Sequence, residues 1–336
     1  MLWAGAAGAG EQQDRELYPP GFEVAVEQGL LFLQAQQKPG GSFEAAGPPA
    51  AMAGLAVLAF LANGHTPDVG RYGLTVRNAL DYLLNLNPDG GYWGRDGGRM
   101  YGHCIVTLAL SQAYGTETDP AQRARIKKAL GAVSRVIIAA QSVGKDDAHI
   151  GGWRYEPGST DSDMSVTAWC VHALAGCRNA GMDIPQERFE SAATFIMRCW
   201  REKQRGFAYL PTDEPSPGMT GAALACLRMA GASRSFDAAA AGRLVLERPV
   251  RDDARYQYSS LYWTTLAAHF VGQPLWPAVW KGNRDYLLSR QRRDDGSWPA
   301  SRNEVDGQGK AGRFFPTAMA VLTLSVPSQI LPVYRK

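Results

Sequence analysis

The sequence predicts an all-α fold in which six helical hairpins close into a ring. This architecture is an α/α toroid (an α6/α6 barrel), with an outer ring of amphipathic helices around an inner ring of apolar helices. Three observations predict it. A short motif recurs six times in the 336 residues, each copy contains one amphipathic and one apolar segment, and neither end of the repeated region has a polar cap.

The recurring motif combines an aromatic–aliphatic pair on a helix, a glutamine or a substitute, and a glycine close to an aromatic residue. Its clearest copy contains Tyr286-Leu287, Gln291, Gly296 and Trp298. Four further copies place the last two elements at Gly41 and Phe43, Gly91 and Trp93, Gly152 and Trp153, and Gly206 and Phe207. The most divergent copy runs from 237 to about 272 and has Tyr256 and Tyr258 at this place. The period is about 50 residues. Because glycine lets the chain reverse and the aromatic ring covers the junction between units, we interpret these positions as structural.

Each copy contains two predicted helices of different character. The first helix is amphipathic and is predicted over 24–37, 76–86, 126–139, 185–201 and 280–290. The second is shorter, apolar almost all round, and predicted over 51–61, 104–113, 165–175, 220–230, 261–270 and 316–324. A helix that is apolar all round has to be enclosed. An open stack would expose the inner surfaces of its end units, so the pattern favours a closed ring.

No Gly/Ser/Pro-rich linker divides the chain, so we expect one toroid domain over 21–336. Residues 1–20 are predicted to be a flexible tail or the remnant of a signal peptide, because the first ten are mostly small but lack a basic start and a long apolar centre. The small residues favour a periplasmic or secreted protein over a cytoplasmic one.

The charge balance limits the classes of partner. The net charge is +3, from 35 basic and 32 acidic residues without a basic cluster, which argues against nucleic acid and against a polybasic membrane anchor. The longest apolar runs have about a dozen residues, too few to span a bilayer, and peripheral contact with a membrane stays open. Five cysteines without a ligand spacing predict buried thiols rather than a disulfide framework or a zinc site.

The stretch from Lys281 to Trp298 resembles the Gln–Trp motif of squalene–hopene and related triterpene cyclases. The runs 151–155 and 163–169 resemble repeats of the same terpenoid cyclase and protein prenyltransferase superfamily. The resemblance covers about residues 25–325. It implies a toroid that acts on or holds an isoprenoid or another apolar ligand in its central cavity.

Two mechanisms of the superfamily can be compared with this chain. In class II cyclases, an Asp-x-Asp-Asp motif at the start of an inner helix supplies the acid. The nearest match here is Asp161-Ser162-Asp163-Met164. With Asp163 as the acid the last aspartate is replaced by Met164, and in the ungapped alignment Ser165 stands in the place of the acid. The prenyltransferase β subunits hold zinc through Asp, Cys and His, but the matching positions here are apolar or small, so we expect neither a metal nor another cofactor.

The chain direction predicts that the N-termini of all six inner helices lie at one end of the ring, which we call the mouth. Unpaired N–H groups and helix dipoles favour an anionic or polar group there. The candidate catalytic residues at these helix starts are Asp161, Asp163 and His103. The candidate substrate-binding residues are Tyr101, Met219, Tyr258, Phe314 and Phe315. Asp163 could instead be an N-cap whose pKa the helix lowers, and His103 could be a packing residue.

Several functions remain open at this point. The ring could be a cyclase-like or prenyl-transfer-like enzyme that uses Asp161, Asp163 and His103. It could also be a non-catalytic toroid that binds a hydrophobic or isoprenoid-like small molecule, or a toroid that binds a protein partner. Glycan processing on a similar barrel ranks last, because Glu156, Asp213, Glu214 and Asp306 lie in loops without an evident carboxylate pair.

Overall fold

Twelve α-helices form almost all of the regular structure in the part of the chain that the computed structural model describes, namely residues 17–43, 45, 47–86, 91–232, 238–250, 256–300 and 312–335. They pair into six hairpins: α1 (Phe22–Ala35) with α2 (Pro49–Ala62), α3 (Gly73–Leu86) with α4 (Arg99–Tyr114), α5 (Pro120–Gln141) with α6 (Met164–Asn179), α7 (Gln186–Arg198) with α8 (Pro217–Met229), α9 (Ala238–Glu247) with α10 (Gln257–Val271), and α11 (Leu275–Arg290) with α12 (Phe314–Ser325). Strands β1 (Trp200–Arg201) and β2 (Gly206–Phe207) pair antiparallel between α7 and α8. Residues 1–16 of the predicted tail, Asp306 and Asp237 lie outside the described residues.

The inner helices close into a ring. Each of α2, α4, α6, α8 and α10 packs against the next inner helix, and α12 packs against α2. The predicted α/α toroid is therefore confirmed. The divergent copy, for which the sequence predicted only the second helix, also contributes an outer helix, α9. No helix among the described residues has the length and apolar character that a membrane crossing requires.

The two rings bury different fractions of their helices, as the sequence pattern predicts. In the inner helix α2 every residue from Ala50 to Ala62 is buried. In the outer helix α7 only one face is buried, formed by Phe189, Ala192, Ala193, Phe195 and Ile196. The enclosure of inner helices by outer ones removes from water the apolar surface that drives folding.

Some predicted helix boundaries were wrong by one to two turns. Helix α5 begins at Pro120 rather than 126, because Asp119 caps it by accepting a hydrogen bond from the Ala121 N–H at 2.9 Å and because proline suits the first helical position. Helices α4 and α10 also begin earlier than predicted, at Arg99 and Gln257. Their first turns are polar at the mouth, and the apolar pattern therefore did not reveal them.

The motif glutamines join each turn to the next unit. Gln37 Nε2 donates to the carbonyl oxygens of Gly41 (3.4 Å) and Thr75 (2.9 Å). Gln141 Nε2 donates to Gly151 O (2.8 Å) and to Arg188 O (2.9 Å). In each case the first acceptor is in the glutamine's own turn and the second is on the outer helix of the following unit.

The last motif glutamine closes the ring onto the first unit. Gln291 Nε2 donates to Gly296 O at 2.8 Å and to Ala25 O of α1 at 2.7 Å. The motif glycines make the close approach of turn and helix feasible: a Cβ on Gly296 would lie 2.7 Å from Gln28 O. In the third copy the glycine with the left-handed conformation is Gly151 (φ 94°), one residue before the position that the sequence pattern indicated.

The interior of the ring is filled by aromatic side chains at mid-height. Helices α6 and α10 are not neighbours, since α8 lies between them, yet their side chains meet. The ring centroid of Trp169 on α6 lies 5.4 Å from Trp263 and 6.2 Å from Tyr262, both on α10, and that of His172 on α6 lies 5.4 Å from Trp263. These contacts cross the ring interior. The small residues of α8 allow this approach, because a Cβ on Gly221 would lie 2.7 Å from the Thr264 backbone nitrogen of α10.

The chain after α12 covers the end of the ring opposite the mouth. The Val333 N–H donates to Gln112 Oε1 of α4 at 3.3 Å, and His269 Nε2 of α10 lies 3.2 Å from Tyr334 O. The Tyr334 side chain is buried, with its ring centroid 6.3 Å from that of Tyr262. Because Gln112 and His269 lie near the C-termini of their helices, this covered end is the one opposite the mouth.

The contact of Gly151 with the next unit can be tested by adding a methyl group. We expect Gly151→Ala to lower the free energy of unfolding by roughly 3 kcal/mol, because its Cβ would lie 2.7 Å from the Ser191 carbonyl carbon in addition to the left-handed backbone strain. Gly231 also has a positive φ (74°) but open space around it, so Gly231→Ala should cost only about 1 kcal/mol. Urea denaturation measures both, and equal losses would contradict the proposed contact.

Candidate functional site

Among the described residues, the first turns of the inner helices border the mouth, and we call the space between them the bowl. Five of these helices have a partly exposed residue in the first turn, although the residues around it are mostly buried: Tyr101, Ser165, Met219, Ser259 and Phe315. The aromatic cluster of Trp169, His172, Tyr262 and Trp263 forms the floor. From Ser165 to Trp169 the helix rises by about 6 Å, so the floor lies about one helical turn below the rim.

Asp163 is held at the start of α6 by backbone and side-chain donors. Its backbone N–H donates to Trp153 O at 2.9 Å, which pairs the turn after α5 with the start of α6. Its Oδ1 accepts from the Val166 N–H at 2.9 Å and from Ser165 Oγ at 2.7 Å. Asp163 is therefore the N-cap of α6, the alternative that the sequence had left open.

Arg154 connects Asp163 to the rim. Its Nη1 lies 3.2 Å from Asp163 Oδ2, and its Nε lies 3.2 Å from Asp161 Oδ2. The two carboxylates differ in environment: the Asp163 side chain is 0% exposed, Asp161 is 49% exposed, and the arginine between them is 20% exposed. Arg154 therefore links the buried Asp163 carboxylate to the solvent-exposed rim.

Three phenols surround the arginine and the aspartate. The guanidinium of Arg154 lies over the rings of Tyr155 (4.7 Å to the centroid) and Tyr209 (5.6 Å), and its Nη1 donates to Tyr209 Oη at 3.2 Å. The hydroxyls of Tyr155 and Tyr209 are 2.5 Å apart. Tyr101 bonds through its hydroxyl to Ser165 Oγ, which in turn donates to Asp163. We call these six residues, Tyr101, Arg154, Tyr155, Asp163, Ser165 and Tyr209, the rim network.

Burial raises the pKa values of three rim-network residues, Tyr101, Asp163 and Tyr209. It raises the pKa of Asp163, and this effect exceeds the lowering by the hydrogen bonds from Val166 and Ser165 and by the Arg154 charge. The sequence-based expectation that the helix start lowers this pKa was therefore wrong, because burial outweighs it. Burial, reinforced by the Asp163 charge, also raises the pKa of Tyr101 and Tyr209, so both phenols remain protonated donors at neutral pH.

Sequence reasoning missed Tyr209, although a signal for it exists. Tyr155 follows the motif tryptophan Trp153 by two residues, and Tyr209 follows the motif aromatic Phe207 by the same two residues. The two tyrosines are therefore equivalent positions of neighbouring units, and their hydroxyls meet where the units join.

His103 lies between two helices rather than in the rim network. Its Nδ1 accepts from the Trp93 N–H at 3.3 Å, and its Nε2 lies 3.1 Å from Val133 O of α5. In three other units a threonine hydroxyl accepts from the N–H of the motif aromatic at 3.0 Å: Thr167 from Trp153, Thr220 from Phe207, and Thr317 from Trp298. His103 occupies the equivalent position in the second unit. Burial lowers its pKa to about 4, so it is neutral at physiological pH.

The candidate substrate-binding residues divide into two groups. Tyr101, Met219 and Phe315 are partly exposed at the mouth. Tyr258 and Phe314 are buried: the Tyr258 hydroxyl donates to Pro299 O at 2.7 Å, and the Phe314 ring packs 5.3 Å from Phe43. Among these described candidate residues, only the first group has side-chain surface exposed at the mouth. Within the described ranges, no three His, Cys, Asp or Glu side chains are grouped so that they could hold a metal ion.

The floor contains a buried histidine without a hydrogen-bond partner among the described residues. Neither Nδ1 nor Nε2 of His172 has one, and the side chain is 0% exposed. Burial alone lowers the pKa of His172 to about 3. The neutral imidazole of His172 packs against Trp169, Tyr262 and Trp263, and it fills space in the floor as an aromatic side chain of intermediate size.

The rim network should make Asp163 more important than an ordinary N-cap. We expect Asp163→Ala to lower the free energy of unfolding by roughly 3 kcal/mol, because it removes the cap, the Ser165 bond and the Arg154 pair. Asp163→Asn keeps an acceptor for Val166 and should cost less. Ser216 caps α8 through the Met219 N–H (3.3 Å) without an ion pair, so Ser216→Ala should cost only about 1 kcal/mol. Chemical denaturation compares the three variants, and equal costs for Asp163→Ala and Ser216→Ala would refute the added role.

The buried His172 should make the ring sensitive to acid. Its folded pKa, about 3, is below the model-peptide value of 6.5, so between these values the unfolded chain binds a proton that the folded ring does not. Stability that is present above pH 6.5 is therefore lost as the pH falls, by roughly 2–3 kcal/mol at about pH 4.5. His172→Phe should reduce this dependence without abolishing it, because the buried His103, with a pKa of about 4, contributes in the same direction, whereas Trp169→Phe in the same cluster should preserve it in full. Urea denaturation between about pH 7 and about pH 4.5 measures the slope, and an unchanged slope in His172→Phe would contradict the assignment.

Solved structures of proteins with several different activities share this architecture. The type II terpene cyclase MstE from Scytonema superposes with a TM-score of 0.57 at 14% identity, over 92% of this chain and 99% of that one. A cellobiose 2-epimerase from Bacillus thermoamylovorans gives 0.63 at 12% identity, over 90% and 97%. A D-mannose isomerase gives 0.61 at 13% identity, over 96% and 99%. No family model and no curated protein matches the chain. At these identities the likeness concerns the fold, and the chain has the α/α-toroid fold of this group of enzymes.

Proposed function

We propose that this toroid binds an apolar, isoprenoid-like small molecule with one polar end, and that it binds this end at the mouth. In this proposal the polar end contacts Arg154, Tyr155 and Tyr209, and the adjoining apolar part contacts Met219 and Phe315. The observation that carries the proposal is the partly exposed arginine, held between a buried aspartate and two phenols at a mouth where Met219 and Phe315 are also partly exposed.

The rim network is suited to recognise a polar group. The Arg154 guanidinium has five N–H donors in a planar fork, of which the aspartates and Tyr209 engage only some. The paired hydroxyls of Tyr155 and Tyr209 offer further donor and acceptor sites within 2.5 Å of each other. A hydroxyl, carboxylate or phosphate at the end of an apolar molecule would find complementary groups here.

The filled floor limits how much of a ligand the ring takes in. The aromatic cluster occupies the interior about one turn below the rim, and the chain after α12 covers the opposite end. We therefore place only the polar end and the first few carbon atoms of a long isoprenoid inside the bowl. The remainder would extend outwards, towards a membrane surface or a protein partner.

The ligand class is supported by the chemistry of the rim and by one precedent. Apolar and aromatic side chains at the rim favour a hydrocarbon next to a polar group. A variant of the cyclase MstE, whose fold this chain shares, has been solved in complex with geranylgeranyl dihydroxybenzoate, the substrate of that enzyme. That molecule combines a prenyl chain with a polar end.

Acid catalysis by Asp163 is the second candidate, and one observation favours it. Burial raises the pKa of Asp163, as a proton donor requires. However, both carboxylate oxygens are engaged, Oδ1 by the N-cap and Ser165, and Oδ2 by Arg154. A carboxyl group in this position would have to leave its arginine before it could protonate a ligand, so binding ranks first. Asp161 is half-exposed on the other side of the arginine, and His103 lies outside the rim network.

Binding of three isoprenoids tests the proposal: geranylgeraniol and geranylgeranyl diphosphate differ only in their polar end, and squalene is a longer hydrocarbon without one. We expect geranylgeraniol and geranylgeranyl diphosphate to bind in calorimetry or native mass spectrometry, and squalene to bind more weakly. Arg154→Met and Tyr209→Phe should each weaken binding about tenfold, the effect of one lost hydrogen bond of about 1.4 kcal/mol. Tyr72→Phe is the matched control, since it removes a hydroxyl that bonds to Glu27 at 2.8 Å outside the mouth.

The same mixtures distinguish binding from turnover. Equal binding of squalene and the polar-ended compounds, or full affinity in Arg154→Met, would remove the proposed role of the rim network. New products that form with the natural chain and not with Asp163→Asn would replace the binding function with the acid-catalysed one.

A further inference from the structure

Helices α4 and α6 are parallel neighbours with one register along their length. At the mouth the Tyr101 hydroxyl bonds to Ser165 Oγ. Near the opposite end, a Cβ on Gly176 would overlap Ser111 Oγ and would lie 2.9 Å from Leu108 Cδ1. Contacts at both ends therefore determine which residues face each other between them.

Two cysteines face each other in this interface. Cys104 Sγ and Cys170 Sγ are 3.2 Å apart, and both side chains are 0% exposed. A disulfide bond requires about 2.05 Å, so the two sulfur atoms need to approach by only about 1 Å. The other three cysteines are also buried and free, and Cys226 Sγ contacts the Ala168 carbonyl oxygen at 3.6 Å instead of a second sulfur.

We propose that Cys104 and Cys170 are a modification site at which a disulfide bond links α4 to α6. The link would lie three residues after Tyr101 on α4 and five after Ser165 on α6, directly below this contact of the rim network. It would therefore hold the two helices together at the side of the mouth where Asp163 is capped. The site goes beyond the proposed binding function and does not depend on it.

The reaction requires an oxidant, for which a small-molecule disulfide such as glutathione disulfide suffices. One protein thiolate attacks this disulfide, and a glutathione thiol leaves. The second protein thiolate then attacks the mixed disulfide, and a second glutathione thiol leaves. Two protein thiols thus lose two protons and two electrons, and one disulfide is exchanged for another. An oxidising compartment supplies these conditions.

The exchange takes place before the ring has closed around the thiols. In the folded ring both sulfur atoms are inaccessible, and burial raises the pKa of the Cys170 thiol well above its usual value, so little thiolate is present. The redox conditions during folding therefore determine whether the two cysteines are oxidised or reduced, and the closed ring then preserves that oxidation state. Because many residues separate the two cysteines, the link would constrain the unfolded chain strongly.

Refolding the full chain with and without an oxidant tests the proposal. The chain is refolded in a glutathione redox buffer or in reducing buffer, unfolded, alkylated, and mapped by non-reducing peptide mass spectrometry. We expect one linked peptide pair joining Cys104 and Cys170, lighter than the sum of its reduced peptides by two hydrogen atoms. Cys177, Cys199 and Cys226 should all be alkylated. The oxidised ring should melt about 5 °C or more above the reduced one.

Variants make the result specific. Cys104→Ser and Cys170→Ser should abolish the link and the difference in melting temperature, and Cys104→Ala serves if the serine variant fails to fold. Cys226→Ser is the matched control and should retain both. A chain that folds in the oxidising buffer with all five thiols free, or with Cys170 linked to Cys226, would overturn the proposal. Neither outcome would bear on ligand binding at the mouth.

Discussion

The ring depends on a repeated junction in which one glutamine amide serves two units. An amide nitrogen has two N–H donors, and at Gln37, Gln141 and Gln291 both are used, one on the turn of its own unit and one on the next outer helix. A glycine in the turn is needed because the next helix comes too close for a Cβ. In the fourth unit Trp200 stands in the place of the glutamine, and the pairing of β1 with β2 shapes the turn there. The motif thus connects consecutive units. Because these hydrogen bonds fix the distance between one turn and the next outer helix, the apolar cores of the units stack in register.

Much of the fold could be predicted because its cause is local and repeated. Three units share the glutamine junction, and the same pair of helix types recurs in all six, so weak signals add up to one architecture. Helix starts were harder to locate: the first turns of α4 and α10 are polar where they border the mouth, and periodicity of apolar residues cannot find them. The first helix of the divergent unit, α9, had no recognisable motif.

The site was only partly predictable, for physical reasons that differ from residue to residue. Asp163, Tyr101, Met219 and Phe315 follow from chain direction, since parallel inner helices bring their first turns together. His103 was misleading, because a histidine there performs the structural task that threonine performs in three other units, and only the hydrogen bonds to Trp93 and Val133 reveal this. The aromatic floor could not be foreseen either. It arises where α6 and α10 meet across the ring above the small residues of α8, and no spacing along the chain encodes that meeting.

The junction between the last unit and the first has a consequence for how the molecule is held together. Gln291, Gly296 and α12 meet α1 and α2 through the same kinds of contact that join consecutive units, but without a peptide link across the boundary. One of the six interfaces between units is therefore held together by non-covalent contacts alone. The interface between the last and the first unit therefore holds without a continuous backbone across it, through the same kinds of contact that the other five interfaces use.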